Sequence, residues 1–269
     1  MSAPVPTVSV VIATCDRLPL LRDALRSVAA QTLAPLEVRI AHDGGVPPPP
    51  ELATQGPPPI VVIAVAAGSA AVARNRASAE ARGEVLAFLD DDDRWLPDHL
   101  AGLAAAFRDP SVGFAWRDCA VVRERLEQGG ARRELERRLI AHDWDAALMG
   151  RDDYLPPSAW GVRRSLFERL GGFDGSFRFS EDWDFALRAA ALTAPRRVPG
   201  VTVEVRMRAA GNLSRDLGPE RQACLDRLAA RHGLAPIAPK TFWEVALAVA
   251  VAAAAGPGGR PARFGARRG

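Results

Sequence analysis

Short apolar blocks alternate with helically spaced stretches along residues 1–110. Val8 to Ala13, Glu37 to Ala41, Ile60 to Ala66 and Glu84 to Leu89 read as strands, because brief apolar, β-branched runs bounded by polar residues suit a buried sheet position. Between them, Leu18 to Ala30 repeats apolar residues at Leu21, Ala24, Leu25 and Val28, the spacing of one helix face. Ser69 to Arg82 reads as a second helix, capped by Gly83, and Pro97 suits the first turn of a third, through Phe107. Val46 to Pro59 holds seven prolines and is expected to be an irregular surface loop. Strand–helix alternation of this kind predicts an α/β fold with a mostly parallel, doubly wound sheet.

The pattern is looser beyond residue 110. Val112 to Trp116, Cys119 to Val122 and Ala159 to Val162 read as short strands, and Ser165 to Leu170 as a short helix ending at Gly171-Gly172. Glu124 to Arg138 is dense in charge, is broken by Gly129-Gly130, and reads as a solvated excursion. Ser180, as a cap, and Glu181 and Asp182, as acids in a first turn, open a helix through Ala191; Arg196 to Arg206 supplies another strand or pair. Phe242 to Ala255 is apolar except for Glu244 and too short to span a bilayer, leaving a packed helix or one lying on a membrane surface.

Composition narrows the function classes. The chain has 269 residues, 48% of them apolar, enough for one sizeable α/β domain with or without an appendage. Arg outnumbers Lys by 34 to one, as in a GC-rich, bacterial coding sequence. The net charge of +3 comes from the end of the chain: residues 256–269 carry Arg260, Arg263, Arg267 and Arg268 and no acid, and the remainder balances 31 bases against 32 acids. A basic nucleic-acid-binding face is therefore not supported. The tail reads either as a solubilising end or as a contact for an anionic membrane or polymer. Cys15, Cys119 and Cys224 are widely spaced and form no Cys-x-x-Cys pair, so no disulfide framework or thiolate metal site is indicated. The opening residues lack the pattern of a signal peptide, and the expected compartment is the cytoplasm, with peripheral contact to the inner membrane face through the C-terminal apolar run and Arg tail left open.

Candidate chemistry gathers at strand ends. Asp90 to Asp93 follow directly on Val85 to Leu89. Adjacent carboxylates repel, so the run reads either as a site for a hard cation such as Mg2+ or Mn2+, completed by substrate phosphates, or as a solvated turn with a helix cap. Thr14, Cys15 and Asp16 follow the first strand and Asp43 the second, and open parallel sheets bind ligands outside the carboxyl ends of their strands. Three polar strand ends on one rim favour a site.

Four segments then resemble the family-two inverting glycosyltransferases of GT-A fold. They are Val8 to Arg17 with Ser27-Val28 and Gln31-Thr32; Ala73-Arg74-Asn75 with Ala81 to Glu84 and Phe88 to Asp93; Gly171-Gly172-Phe173-Asp174; and Glu181-Asp182-Trp183-Asp184. The resemblance covers roughly residues 7 to 215. It implies a Rossmann-like, mixed but mostly parallel sheet flanked by helices, with a smaller acceptor-side region. The expected division is a nucleotide-sugar-binding half over 1–110, an acceptor-binding and catalytic half over 111–215, C-terminal helices over 216–255 and a basic tail over 256–269. The implied activity is hexosyltransferase-like transfer from a nucleotide-sugar donor, UDP-linked by preference over a thymine nucleotide, to an acceptor hydroxyl. By the resemblance, Asp43 would bond the base, Thr14 and Asp16 would line its site, and Arg74 would sit near the base or diphosphate. Asp91 would contact the ribose, Asp92 would be the principal ligand of Mn2+ or Mg2+ with Asp90 completing an Asp-x-Asp pattern, and Asp182 would be the general base. Glu181 would position the acceptor or a donor-sugar hydroxyl; Trp160 and Trp183 would either face sugar or pack in the core.

Three departures stand out. Cys15 replaces an aromatic residue common near the base, His42-Asp43 replaces an acidic pair, and Ala209-Ala210 occupy a stretch, Arg206 to Ser214, that often carries a His. Arg206 or Arg208 are the residues that would compensate on the diphosphate. His99, His142 and His232 lie outside the motifs and read as surface residues. Two other readings remain: a nucleotide-sugar-binding protein without catalysis, and a sugar-phosphate nucleotidyltransferase, against which Thr14 to Leu20 offers no glycine.

Overall fold

The four apolar blocks form the parallel half of one sheet. In the computed structural model, which describes residues 4–54, 58–66, 68–127, 132–209 and 216–255, β1 (Val8–Thr14), β2 (Glu37–His42), β3 (Ile60–Ala64) and β4 (Val85–Asp90) pair in the order β3-β2-β1-β4, all parallel. Near-continuous burial of β1, β2 and β4 explains their unbroken apolar sequence: both faces are covered, as βαβ crossovers require. Helices α1 (Leu18–Ala29), α2 (Ala70–Ala79) and α3 (His99–Ala106) connect or flank these strands, and α1 buries Leu21, Ala24, Leu25 and Val28 as its spacing predicts.

The second half extends the same sheet with mixed direction. The two-residue β5 (Arg94–Trp95), the long β6 (Phe114–Leu126), β7 (Arg132–Ile140), β8 (Trp160–Arg163) and β9 (Arg196–Met207) continue it as β4-β8-β6-β9-β5, with β7 paired to β6. β8 runs antiparallel to both β4 and β6, whereas β6 and β9 are parallel. Helices α4 (Ala146–Met149), α5 (Arg164–Arg169), α6 (Glu181–Ala190), α7 (Pro219–His232) and α8 (Phe242–Ala255) complete the described residues.

Several expectations are corrected here. The two short strands around Trp116 and Cys119 are one strand, β6; the polar pair Arg117-Asp118 does not break it, because Asp118 accepts from Arg197 Nε (2.7 Å) and Nη2 (3.0 Å) on β9. The charged stretch Glu124 to Arg138 belongs largely to a β6–β7 hairpin, not to a solvated excursion, although its Gly129-Gly130 lie outside the described residues. Its Arg and Glu side chains ride on an edge strand, where charge discourages pairing with another chain. Gly83 caps no helix: α2 ends at Ala79, and the Gly83 N–H instead donates to the buried Ser9 Oγ (2.8 Å). Ser180 makes no capping hydrogen bond; it takes φ +63°, a left-handed turn that redirects the chain into α6. His99 is fully buried, stacked on Trp95 with Nδ1 3.0 Å from Thr202 Oγ1, and His232 Nε2 reaches the buried Asp184 (2.9 Å).

The core centres on aromatic rings from both halves. Trp160, 0% exposed, packs among Phe88, Phe114 and Phe185, with ring centroids 5.1, 5.1 and 5.5 Å away. Aromatic contacts of this kind tie β4, β6, β8 and α6 together. α8 buries Val245, Ala246 and Val249, while Leu247 and Val251 face outward. Trp243 on α8 lies under the guanidinium groups of Arg123 and Arg138 from the hairpin (5.1 and 4.1 Å to the ring centroid), so α8 is packed on β6 and β7. No helix among the described residues is long and apolar enough to cross a membrane.

Candidate active site

β4 carries Asp90 to the carboxyl end of the sheet, and the chain then turns sharply, with the Asp93 N–H donating to the Asp90 carbonyl (3.0 Å). The four aspartates of this turn take four different environments. Asp90 accepts from Arg74 Nη2 (2.6 Å). Asp91 is buried, accepts from Thr14 Oγ1 (2.6 Å), and has Arg17 Nη2 2.7 Å from its Oδ1. Asp92 lies between two guanidinium groups, Arg17 Nη1 at 3.3 Å and Arg208 Nη1 at 3.5 Å, and Arg208 also donates to its main-chain carbonyl (3.1 Å). Asp93 accepts from Ser158 Oγ (2.6 Å) and from the Arg206 N–H (2.9 Å), so it is neither a cap nor a solvated turn residue but a buried tie between β4, β9 and the turn before β8.

Burial dominates the proton affinity of this turn. It pushes the Asp91 carboxyl up to about 6, against the Arg17 charge and the Thr14 hydroxyl. Asp92 is raised by burial, opposed by Arg17 and reinforced by Asp90; Asp93 is raised well above the usual range by burial and the Asp92 charge.

A second acidic group meets the first across Arg74. This buried guanidinium donates to Asp90 with one nitrogen and to Glu181 on α6 with the other (2.7 Å), and lies 5.6 Å from the Phe173 ring centroid. Burial works against its charge, but Asp90 and Glu181 more than offset that and raise its pKa. Glu181 is pushed up to about 7 by burial and then by the charge of Asp182, against Arg74. Asp182, raised by burial, accepts from the Trp183 N–H (2.9 Å). A first-turn role alone thus does not account for Glu181, which reaches across to another helix.

Both groups line one cavity of about 230 Å3, floored by Asp90 to Asp93, Arg17 and Arg74 and walled by Asp153, Glu181, Asp182, Trp183, Arg221 and Lys240. Trp183 borders it while its indole N–H donates to the Met149 carbonyl (2.7 Å). Trp160 does not line it; the requirement to fill the space under β4 and β6 places it in the core, which corrects its assignment to a sugar pocket. Asp16, at φ +50°, accepts from the N–H groups of Gly45 and Val46 (3.1 Å each), so it closes the loop after β2, and those backbone bonds hold its carboxyl below the usual range. A smaller pocket of about 160 Å3 opens there, between Thr14, Asp16, Arg17, His42 and Pro47-Pro48. Asp43, half-buried at the end of β2, is fixed by its N–H donating to the Thr14 carbonyl (2.8 Å).

Sequence reasoning missed several residues of this site. Arg17 was in view within the first motif but had no assigned partner. Asp153 faces the cavity from a loop, raised well above the usual range by burial and the charge of Asp182. Glu124 accepts from Arg208 Nε (2.7 Å) and Arg132 Nη1 (2.8 Å), and Arg132 continues to Asp23, so the hairpin braces Arg208 against Asp92. The signal for that brace was the charge density of the hairpin itself. Of the stretch that departs at Ala209-Ala210, residues 210–215 lie outside the described residues.

Chemically, the arrangement offers a hard-oxygen donor set, Asp92 with Asp90, next to a carboxylate of raised proton affinity. Among the described residues no three His, Cys, Asp or Glu side chains converge as a complete metal site.

Comparison with known proteins bears on the family and the fold. The family model described as Glycosyl transferase family 2 matches residues 9–171. The uncharacterized glycosyltransferase YwdF of Bacillus subtilis is 36% identical over 239 residues, covering 87% of each chain. Among solved structures, residues 1–349 of S. aureus TarS superpose with a TM-score of 0.58 at 17% identity over 83% of this chain, which spans 64% of that one. The Pyrobaculum calidifontis mannosyltransferase PcManGT, in complex with GDP-Man and Mn2+, gives a TM-score of 0.57 at 19% identity, over 95% of this chain and 77% of the other. TarS 1–349 in complex with UDP-GlcNAc gives 0.57 at 18% identity, over 93% and 67%. At these identities the structural likenesses establish the GT-A fold.

Proposed function

The chain belongs to glycosyl transferase family 2, and from that premise we propose that it is a metal-assisted, inverting transferase moving a sugar from a UDP-linked donor to an acceptor hydroxyl. One observation carries the reading: Arg74 grips Asp90 and Glu181 together, which sets the aspartate turn and the acid helix on opposite walls of one cavity. The donor's nucleotide would lie along residues 1–110, with its base near Asp43 and the pocket lined by Thr14 and Asp16, and its ribose near Asp91. The acceptor would enter from the side built by residues 111–215 and by α7 and α8. Two similar structures were solved with UDP-GlcNAc and with GDP-Man and Mn2+, which supports a nucleotide-sugar donor.

Asp92 and Asp90 are the residues that would hold Mn2+ or Mg2+; the bound ion would supply positive charge to the leaving diphosphate. Arg17 and Arg208, already on Asp92, keep that carboxylate oriented. Asp182 would accept the acceptor hydroxyl's proton as that oxygen attacks the anomeric carbon opposite the diphosphate, giving inversion. Its burial raises its proton affinity, which suits a base but also requires that it be ionised before attack. Glu181, fixed by Arg74, would orient a sugar hydroxyl.

Asp182→Asn should lower transfer, read as acceptor-dependent UDP release, by about 10²–10⁴-fold while leaving UDP affinity unchanged. Equal rates in variant and wild type would remove Asp182 from the base role. Asp92→Ala should abolish the Mn2+ dependence of UDP binding in calorimetry, and a preserved dependence would overturn its ligand role. Tight UDP binding by the wild type without turnover on any donor would favour a binding protein without catalysis.

A further inference from the structure

Four cations border the cavity on the side of the acid helix and none of them serves the aspartate turn. Arg151 follows α4, Arg178 precedes Ser180, Arg221 stands in the first turn of α7, and Lys240 precedes α8. Arg178 and Arg221 share one aromatic ring, their guanidinium carbons 6.0 and 5.6 Å from the Phe179 ring centroid. Two like charges at one ring repel, and an anion between them would relieve the repulsion. Arg221 Nε is buried and has no hydrogen-bond partner among the described residues. A buried donor without a partner is costly, and a ligand oxygen would satisfy it. Arg151 and Arg178 are 66% and 59% exposed, and their nearest acids, Asp152 at 3.7 Å and Glu220 at 3.5 Å, are held at long range. Contacts of this length are long for a charged hydrogen bond, so both guanidinium forks can turn to a bidentate anion. Asp152 is also bound by Lys240. Asp153 and Asp182 face Arg221 as well, and its charge opposes the rise in proton affinity that burial gives both carboxyls.

We propose that the acceptor carries an anionic group, a phosphate or a carboxylate, near its reacting hydroxyl, and that Arg221 and Arg178 bind it with Arg151 and Lys240 at the rim. This rests on the donor and acceptor walls assigned above. It assigns the acceptor a chemical class: hydroxylated and negatively charged.

The test is calorimetry on the whole chain saturated with UDP and Mn2+, so that the diphosphate position is filled. Glycerol 3-phosphate, glycerate and glycerol are titrated in turn. One of the two anions should bind and glycerol should not, and the stronger anion separates phosphate from carboxylate. Arg221→Gln should weaken that binding about tenfold or more, as loss of a charged hydrogen bond does, with partial recovery in Arg221→Lys. Arg178→Gln, at a mostly exposed position, should weaken it several-fold and guards against a folding defect at Arg221. UDP affinity should be unchanged in all three variants. Equal binding of glycerol and the anions, or wild-type anion affinity in both Gln variants, overturns the proposal. A wild-type protein that does not bind UDP at all overturns the donor-site reading, and this inference with it.

Discussion

Burial raises the proton affinity of carboxyls on both walls of the cavity, but the walls differ in how fully those carboxyls are partnered. On the aspartate wall nearly every carboxylate is matched: Asp90 to Arg74, Asp91 to Arg17 and Thr14, Asp92 to Arg17 and Arg208, Asp93 to Ser158 and a main-chain N–H. On the acid-helix wall, Glu181, Asp182 and Asp153 are held above the usual carboxylate range by burial, while Arg151 and Arg178 turn toward solvent. The first wall is preorganised, its carboxylates fixed by guanidinium, hydroxyl and main-chain donors. The second holds Asp182, raised by burial, beside Glu181, which is pushed up to about 7. Arg74 joins the walls, and it is the place to break the contrast.

Arg74→Met should have the largest effect. It strands Asp90 and Glu181 without their shared cation, and breaking a buried pair in this way costs about 3–5 kcal/mol. Urea unfolding monitored by circular dichroism would measure it; a loss below about 1 kcal/mol would mean the two walls do not depend on one another.

Glu124→Gln addresses the aspartate wall alone. It removes the carboxylate that braces Arg208 and Arg132, an effect of about 1.5–3 kcal/mol for hydrogen bonds to charged groups. Arg208 would then orient Asp92 less firmly, and Mn2+-linked UDP affinity should fall along with stability. Loss of stability with unchanged Mn2+ linkage would make the hairpin brace purely structural.

The third test concerns pH and the acid-helix wall. Glu181 titrates at about 7 in the folded chain, against roughly 4.3 for an unperturbed glutamate. The folded state therefore binds that proton more tightly, so the stability it contributes is complete below about pH 4.3 and is lost as pH rises through about 7. Melting temperatures of wild type and Glu181→Gln across that window should converge toward a flatter curve in the variant. Parallel curves would show that Glu181 does not titrate there.

Legibility divided along the same line as the sheet. The parallel half was readable because β1, β2 and β4 are buried on both faces and α1 shows one apolar stripe, properties that local spacing reports directly. Beyond it, β6 carries Arg117-Asp118 in mid-strand and β7 is mostly charged, so their periodicity looks like loop. They are strands because of partners far away: Arg197 lies 79 positions from Asp118. The aspartate turn and Asp182 could be named from sequence, but the roles inside the turn could not, since Asp93 differs from Asp90 only in what surrounds it.

The sequence by itself determined the family, the α/β alternation, the strand ends that carry carboxylates, and the position of the acid helix. These follow from local composition and short motifs. Tertiary structure alone decided which charge meets which: that Arg74 holds both Asp90 and Glu181, the latter 107 positions away, that Glu124 braces Arg208, and that Trp160 fills the core instead of facing a sugar. The reason is physical: apolar burial is written into local periodicity, whereas a carboxylate's proton affinity depends on the burial and the counter-charge that distant segments bring to it.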